Sequence, residues 1–319
     1  MADTFKILVV QIGKIGDMIL TTPLLDELKA LYPDSEISVL ASTKNSVITK
    51  NLSVVDYTFE YNKKFMKVLK LVKVLRGKSF DLWIDAKDEY SSTSKLLKSL
   101  CSPKKSLGFN FEKKVFDVDL KNYVAGEHRI DINLSPVNYL SGETKVRNVK
   151  PRVDIPSQDS LNVKQRLEKV TGRKILLNLS AGISTRDWAT EKWVSVSDNI
   201  QADCNVILTG QEKDYESIKL IMEKSKREKI HFIETNTIFE LAELIKDCDL
   251  IVTPDTSAVH LASFSNTPIV SFFHNVDWVH RKFAPLSDKQ RIVVSEDESS
   301  FNSITVEEVI KAINSIFTP

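Results

Sequence analysis

Short β-branched apolar runs alternate along the chain with amphipathic stretches of about 10 to 15 residues, the pattern of βαβ units building a parallel sheet covered on both faces. In the first half this pattern predicts strands at Lys6–Gln11, Glu36–Leu40, Tyr57–Glu60 and Leu82–Asp85 and near Ser106, with helices over Met18–Leu31, Lys64–Leu75 and Ser92–Leu100. The stretch Gly142–Pro156 is polar, contains Pro151 and Pro156 and keeps neither period, so it reads as a linker. Beyond it come a helix over Gln158–Val170 and strands at Ile175–Asn178, Val206–Leu208, His231–Ile233, Leu250–Thr253 and Ile269–Phe272. The last segment, Thr305–Phe317, sets Val306, Val309, Ile310, Ile313 and Ile316 at helical spacing behind a Ser/Thr start. That stripe must pack on something, and the N-terminal domain is one option. The expected fold is α/β, with doubly wound parallel sheets in two domains, residues 1–150 and 151–319. Two such domains joined by a linker create a cleft at the carboxyl ends of their strands, where ligands are expected.

Composition narrows the function without naming it. At roughly 150 residues per domain, 319 residues fit two domains with a core each. Hydrophobic residues at 42% and charged residues at 27% exclude wholesale disorder. Lys+Arg 44 against Asp+Glu 43 is too balanced for a protein whose affinity rests on a nucleic-acid polyanion. Cys101, Cys204 and Cys248 are far apart and contain no Cys-x-x-Cys pair, which points to a reducing compartment and to neither disulfides nor zinc. The apolar run near the N-terminus is too short for a signal segment or a membrane span, so a cytoplasmic location is expected.

Four loops carry candidate chemistry. Gln11-Ile-Gly-Lys-Ile-Gly-Asp17 joins the first strand to a helix and holds Gly13 and Gly16, in a chain with only 9 glycines. It lacks the G-x-G-x-x-G fingerprint, which disfavours a nicotinamide dehydrogenase. Asp17 either caps the helix or projects as a general base, and the two roles are compatible. Asn178–Trp188 combines small hydroxyl residues with Arg186, as in a loop that surrounds a phosphate, although Arg186 could instead pair with Asp187 on the surface. In Asp249–Ala262 a buried strand leads to a helix start lined by Asp255, Thr256 and Ser257, with His260 one turn on as either a ligand or a packing residue. In Leu208–Asp214 an acid follows a glycine turn, where it can cap a helix or hold two ribose hydroxyls.

In this order the motifs resemble the bacterial heptosyltransferases, glycosyltransferase family nine. They are G-x-x-G-D-x-x-x-x-T-P at Gly13–Pro23, F-D-L-x-I-D at Phe80–Asp85, L-G-F at Leu107–Phe109, K/R-x-W at Arg186–Trp188, T-G-x-x-x-D at Thr209–Asp214, and C-D-L-x-x-x-x-D-T-x-x-x-H-L-A at Cys248–Ala262. The resemblance covers nearly the whole chain. It implies a GT-B architecture of two facing Rossmann-like domains, the first for the acceptor and the second for a nucleotide sugar. The implied activity is inverting transfer, usually of heptose from ADP-heptose, to a lipopolysaccharide core or related glycan.

The resemblance also implies residue roles. Asp17 matches the base. Ser184, Thr185 and Arg186 face the diphosphate, with Arg186 where the family usually has Lys. Asp255, Thr256, Ser257 and His260 match the donor-sugar and phosphate motif, Asp214 the ribose acid, and Asn236 and Thr237 lie near the adenine. Gly13, Lys14, Lys87, His128 and Asp131 belong to the acceptor side, with Asp88 and Arg129 as further candidates. No metal and no cofactor are expected beyond the nucleotide-sugar co-substrate. The acid pairs Asp117/Asp119 and Asp247/Asp249 lack a ligand set.

Such a transfer is a single displacement in which Asp17 takes the acceptor proton late, while Arg186 and the helix-start amides stabilise the departing diphosphate. Two departures bear on donor choice: Gln11 stands where the family has a basic residue, and Ser257 replaces glycine. A related transferase using another nucleotide sugar is therefore a second reading, and a non-catalytic nucleotide-binding protein a third. The basic stretch Lys63, Lys64, Lys67, Lys70, Lys73, Arg76 and Lys78, interleaved with Phe65, Leu69, Val72 and Leu75, reads as a solvated helix face, a contact with phosphorylated glycan, or a peripheral contact with the anionic inner membrane.

Overall fold

The computed structural model describes residues 4–89, 91–111 and 113–317. The chain divides into two compact units, Met1–Asp154 and Ile155–Pro319. The first holds strands β1 (Lys6–Gln11), β2 (Glu36–Ser42), β3 (Tyr57–Tyr61), β4 (Leu82–Asp85), β5 (Lys105–Gly108) and β6 (Val118–Asp119) in one sheet of order β3-β2-β1-β4-β5-β6. The second holds β7 (Lys174–Asn178), β8 (Asn205–Thr209), β9 (Ile230–Phe232), β10 (Leu250–Pro254), β11 (Ile269–His274) and β12 (Gln290–Ser295) in the order β12-β11-β10-β7-β8-β9. All the strand pairs are parallel. Each unit thus repeats the Rossmann order 3-2-1-4-5-6.

The central strands show why the apolar runs were legible. Ile7 through Val10 are buried on both faces of the sheet, as are Ile175 through Leu177, so these strands carry no inward–outward alternation. In this topology the order reverses between β1 and β4 in the first unit and between β7 and β10 in the second. Ligands of such sheets bind outside the carboxyl ends at that switch point, which directs attention to the loops after those four strands.

One of these expectations is corrected by the structure, and two are made more specific. The predicted helix Met18–Leu31 is two helices, Ile15–Ile19 and Thr22–Leu31. Pro23 has no amide to donate and is accommodated only in the first turn of the second helix, so the chain restarts at Thr21. The stretch 142–156 forms no regular element, yet its end is not a free tether. The Arg152 guanidinium is held by Asp26, Ser53 and Asp154, and Val153 is buried. The final helix, Val306–Phe317, belongs to the second unit. Its Val309, Ile313 and Ile316 join Trp193, Val196 and Phe272 in the core of the second unit, covering β11 and β12.

Candidate functional site

In the first unit the loop after β1 is built around glycine. The Asp17 carboxylate turns back to accept the Lys14 amide at 2.9 Å, closing the first turn of the helix, and Oδ2 also fills the space where a side chain on Gly13 would lie. A Cβ there would stand 2.6 Å from Oδ2 and 2.8 Å from Gln11 Oε1, so it would displace both side-chain ends. Asp17 therefore does cap its helix, through one oxygen. Its other oxygen, Oδ1, makes no hydrogen bond among the described residues. Gln11 is buried and donates to Thr21 Oγ1 at 3.1 Å, and Asn133 donates to the same hydroxyl and to the Leu20 carbonyl.

Sequence reasoning missed the residue that fixes this loop. Asn45 is fully buried, accepts the Ser42 amide, and donates to the carbonyls of Gln11 and Gly13 at 2.9 and 3.1 Å. Ser42 Oγ adds a bond to the Gly13 carbonyl at 3.0 Å. A lone Asn following a strand carries no motif, so nothing local announced it.

After β4, Arg129 is buried, pairs with Asp88, and donates to the Ala86 carbonyl at 2.9 Å. It pins the loop that carries Lys87, which is itself exposed and paired with Glu89 at 3.4 Å. His128 caps the helix Arg129–Asn133, its Nδ1 accepting the Ile130 amide. Asp131 packs against Gly126, and burial raises its pKa.

Asp85, at the carboxyl end of β4, is buried, and desolvation pushes its pKa up to about 6 against the opposing pull of Ser94, the Lys87 amide and Arg129. The consequence for stability has a definite sign. As pH rises from about 4 to 6, the folded chain keeps a proton that the unfolded chain has lost. Stability therefore falls across that window, by up to about 3 kcal/mol in all. Asp85→Asn keeps an acceptor for the Lys87 amide and removes the charge. Urea unfolding at successive pH values should show the wild-type decline between pH 4 and 6 flattened in the variant, and the variant more stable at neutral pH; parallel profiles would contradict this.

In the second unit the pieces expected to hold a diphosphate meet at the switch point. Arg186 ends a short turn, Ser184–Arg186, after β7, and Trp188 anchors that turn. The indole of Trp188 is buried against Trp193 and Phe272, at centroid distances of 5.0 and 5.1 Å, and donates to the Ile304 carbonyl. Arg186 then forks onto Asp255 after β10, with Nη2 at 2.7 Å from the carboxylate and Nη1 on the main-chain carbonyl. The surface pairing with Asp187 is not formed; that acid lies 3.7 Å from Lys213 instead. Asn178 bonds Thr253 at 2.8 Å and ties the ends of β7 and β10 together beneath this pair. Thr256 caps the helix Ser257–Ser265 through its hydroxyl, and the largely buried His260 ring packs 6.3 Å from Phe283.

Asp214 repeats the device of Asp17. Its Oδ2 accepts the Gln211 amide at 2.9 Å and Ser180 Oγ at 2.8 Å, and its side chain covers Gly210. Beside it lies a groove of about 380 Å³ lined by Asp187, Trp188, Thr190, Lys213, Asp214 and Asn302. Thr237 caps the helix Ile238–Lys246 and bonds Asp159, while the Asn236 amide donates to the buried Glu240. Strand order therefore lines the carboxyl edge with Asp255, Arg186, Asp214 and then Asn236/Thr237, following β10, β7, β8 and β9 in turn. Among the described residues no hydrogen bond or ion pair joins Asn236 or Thr237 to Arg186. Three of these four acids are committed to local structure: Asp117 to Ser106, Asp119 to the Lys121 amide, Asp249 to the Lys174 amide. No cluster of three potential metal ligands occurs among the described residues, and the three cysteines are buried and unbridged.

Comparison with known proteins decides the family. Residues 68–311 match the model of glycosyltransferase family 9 (heptosyltransferase). The chain belongs to this family. The family 9 enzyme is 23% identical over 282 residues to lipopolysaccharide heptosyltransferase 3 of Escherichia coli, an alignment covering 83% of this chain and 82% of that one. Its fold is similar to that of a family 9 glycosyltransferase from Veillonella parvula, with TM-score 0.82, 17% identity and coverage of 98% and 97% of the two chains. It is also similar to the E. coli heptosyltransferase WaaC solved with ADP, with TM-score 0.76, 14% identity and coverage of 98% and 100%. It is a glycosyltransferase of GT-B type, with two Rossmann-like units, and no helix among the described residues is long and apolar enough to cross a membrane.

Proposed function

We propose that this enzyme transfers heptose from ADP-heptose to a lipopolysaccharide-core type of acceptor, with inversion and without a metal. The observation that carries this reading is the Arg186–Asp255 fork at the switch point of the second sheet, one residue before the helix start at Thr256. A cation and first-turn amides at one place suit a leaving diphosphate. The row from Asp255 to Asn236 spans three strand spacings, about 14 Å, a length an extended nucleoside diphosphate can occupy with its ribose near Asp214. The WaaC structure holds ADP and the E. coli relative is a lipopolysaccharide heptosyltransferase, which favours the same donor and acceptor class here. In the first unit, Asp17 Oδ1 accepts the acceptor hydroxyl proton as that oxygen attacks the anomeric carbon. The bond to the diphosphate breaks in the same step, so no covalent sugar intermediate forms.

Ser257 favours one alternative. Its hydroxymethyl group sits in the first helical turn, where the family has glycine and the donor sugar would approach. A smaller or differently oriented sugar, or another nucleotide, would accommodate it. A thermal-shift series separates the two. ADP and ADP-heptose should raise the melting temperature by several degrees at saturating concentration, and UDP or GDP compounds should not. Stabilisation by a UDP or GDP sugar alone would transfer the assignment to that donor.

A further inference from the structure

The helix Phe65–Lys78 has a surface that the transfer reaction does not use. Every charged residue from Lys63 to Lys78 is cationic. Leu71 and Leu75 are buried, Val68 and Val72 pack with them, and at about 100° per residue these side chains share one face. The rest of the helix circumference therefore has no role in the core. On one flank, centred about 120° from the buried face, its first turns carry Phe65, Met66 and Leu69, exposed by 73, 64 and 47%. Three large apolar side chains in one helical turn and a half, standing in water among lysines, are costly unless something covers them. Glu60, the acid on β3 just before the turn, is bonded to Lys50 and Ser46.

We propose that this end of the helix docks the first unit on an anionic lipid surface. Phe65, Met66 and Leu69 enter the boundary between headgroups and acyl chains, while Lys63, Lys64, Lys70 and Lys73 stay with the headgroup phosphates on flexible stems. The absence of any acid in the segment is what an anionic surface selects. Topology gives the contact a use. The helix leaves β3 at the carboxyl edge of the sheet, two strand spacings, about 10 Å, from the end of β1 and its Asp17 loop. A bilayer touching that edge would present a lipid-anchored acceptor to the side of the sheet that bears Asp17. This use rests on the function proposed above; the docking itself does not.

The test is co-sedimentation of the full chain with phosphatidylcholine vesicles, with and without phosphatidylglycerol. The wild type is expected to bind only the anionic vesicles and to be released by salt. The F65S/M66S/L69S variant should lose that binding, and Lys70→Ala and Lys73→Ala should each weaken it about fivefold. All variants should keep the wild-type circular dichroism and the wild-type rate on a water-soluble, deacylated acceptor. That rate separates a failure of docking from a failure of the transferase reading. Absence of vesicle binding by the wild type, equal binding to neutral vesicles, or unimpaired binding by the serine variant would each overturn the proposal. Binding of soluble phosphorylated glycan through the same lysines, with no vesicle binding, would make this face an acceptor site instead.

Discussion

Asp17→Asn is expected to lower kcat by about 10²- to 10⁴-fold while leaving the fold and the affinity for ADP unchanged. The asparagine oxygen can still accept the Lys14 amide, as the carboxylate does at 2.9 Å, and it occupies the same space over Gly13. The cap is thereby kept, and only the capacity to take a proton is removed. Steady-state rates, with a denaturation curve as control, separate the two roles that local sequence left open. A variant within a few-fold of wild-type activity would mean that the carboxylate serves the helix alone. Gly13→Ala is a weaker version of the same experiment, because a Cβ at 2.6 Å must push the acid aside.

The second large effect is expected at Arg186. Removing one preorganised donor to a developing anion typically costs about 10²- to 10³-fold in rate, and Arg186→Ala should fall in that range with weakened ADP binding. The Arg186→Lys variant is the more informative one. Lysine can supply the charge but not the fork that spans both the Asp255 carboxylate and its main-chain carbonyl. Its activity should therefore lie between those of the wild type and the alanine variant. Asp255→Asn controls for the other half of the pair, since Arg186→Ala also takes the ion-pair partner from a carboxylate that is only 10% exposed. Wild-type rates and ADP affinity in Arg186→Ala would show that the pair is a structural brace and not a diphosphate clasp.

How much of this was legible in the sequence depended on distance along the chain. Runs such as Lys6–Gln11 and Leu250–Pro254 were readable because strands buried on both faces are apolar throughout. β6 is only 2 residues long, and the edge strand β12 is half exposed and mixes Gln290 and Arg291 with Val293, so neither produced a recognisable run. The short helices Ser46–Asn51 and Asp277–Phe283 are too brief to show a period. The loop residues with candidate chemistry were all visible as types, but what holds them was not. Arg186 and Asp255 are 69 positions apart, Arg129 and Asp88 41, and Asn45 reaches Gln11 across 34. These are tertiary bonds between polar groups that no local pattern encodes. Capping, by contrast, could be foreseen at Asp17 and Asp214, because a glycine followed four residues later by an acid confines both to one turn.

The most direct test of the account is acceptor-dependent release of ADP from ADP-heptose by the purified enzyme, with a deacylated lipopolysaccharide core as acceptor and the product's anomeric configuration read by NMR. The prediction is ADP formation that requires the acceptor, needs no divalent cation, and gives a product inverted at the anomeric carbon. No release from ADP-heptose under conditions where another nucleotide sugar turns over, or a product that retains the donor's configuration, would contradict it.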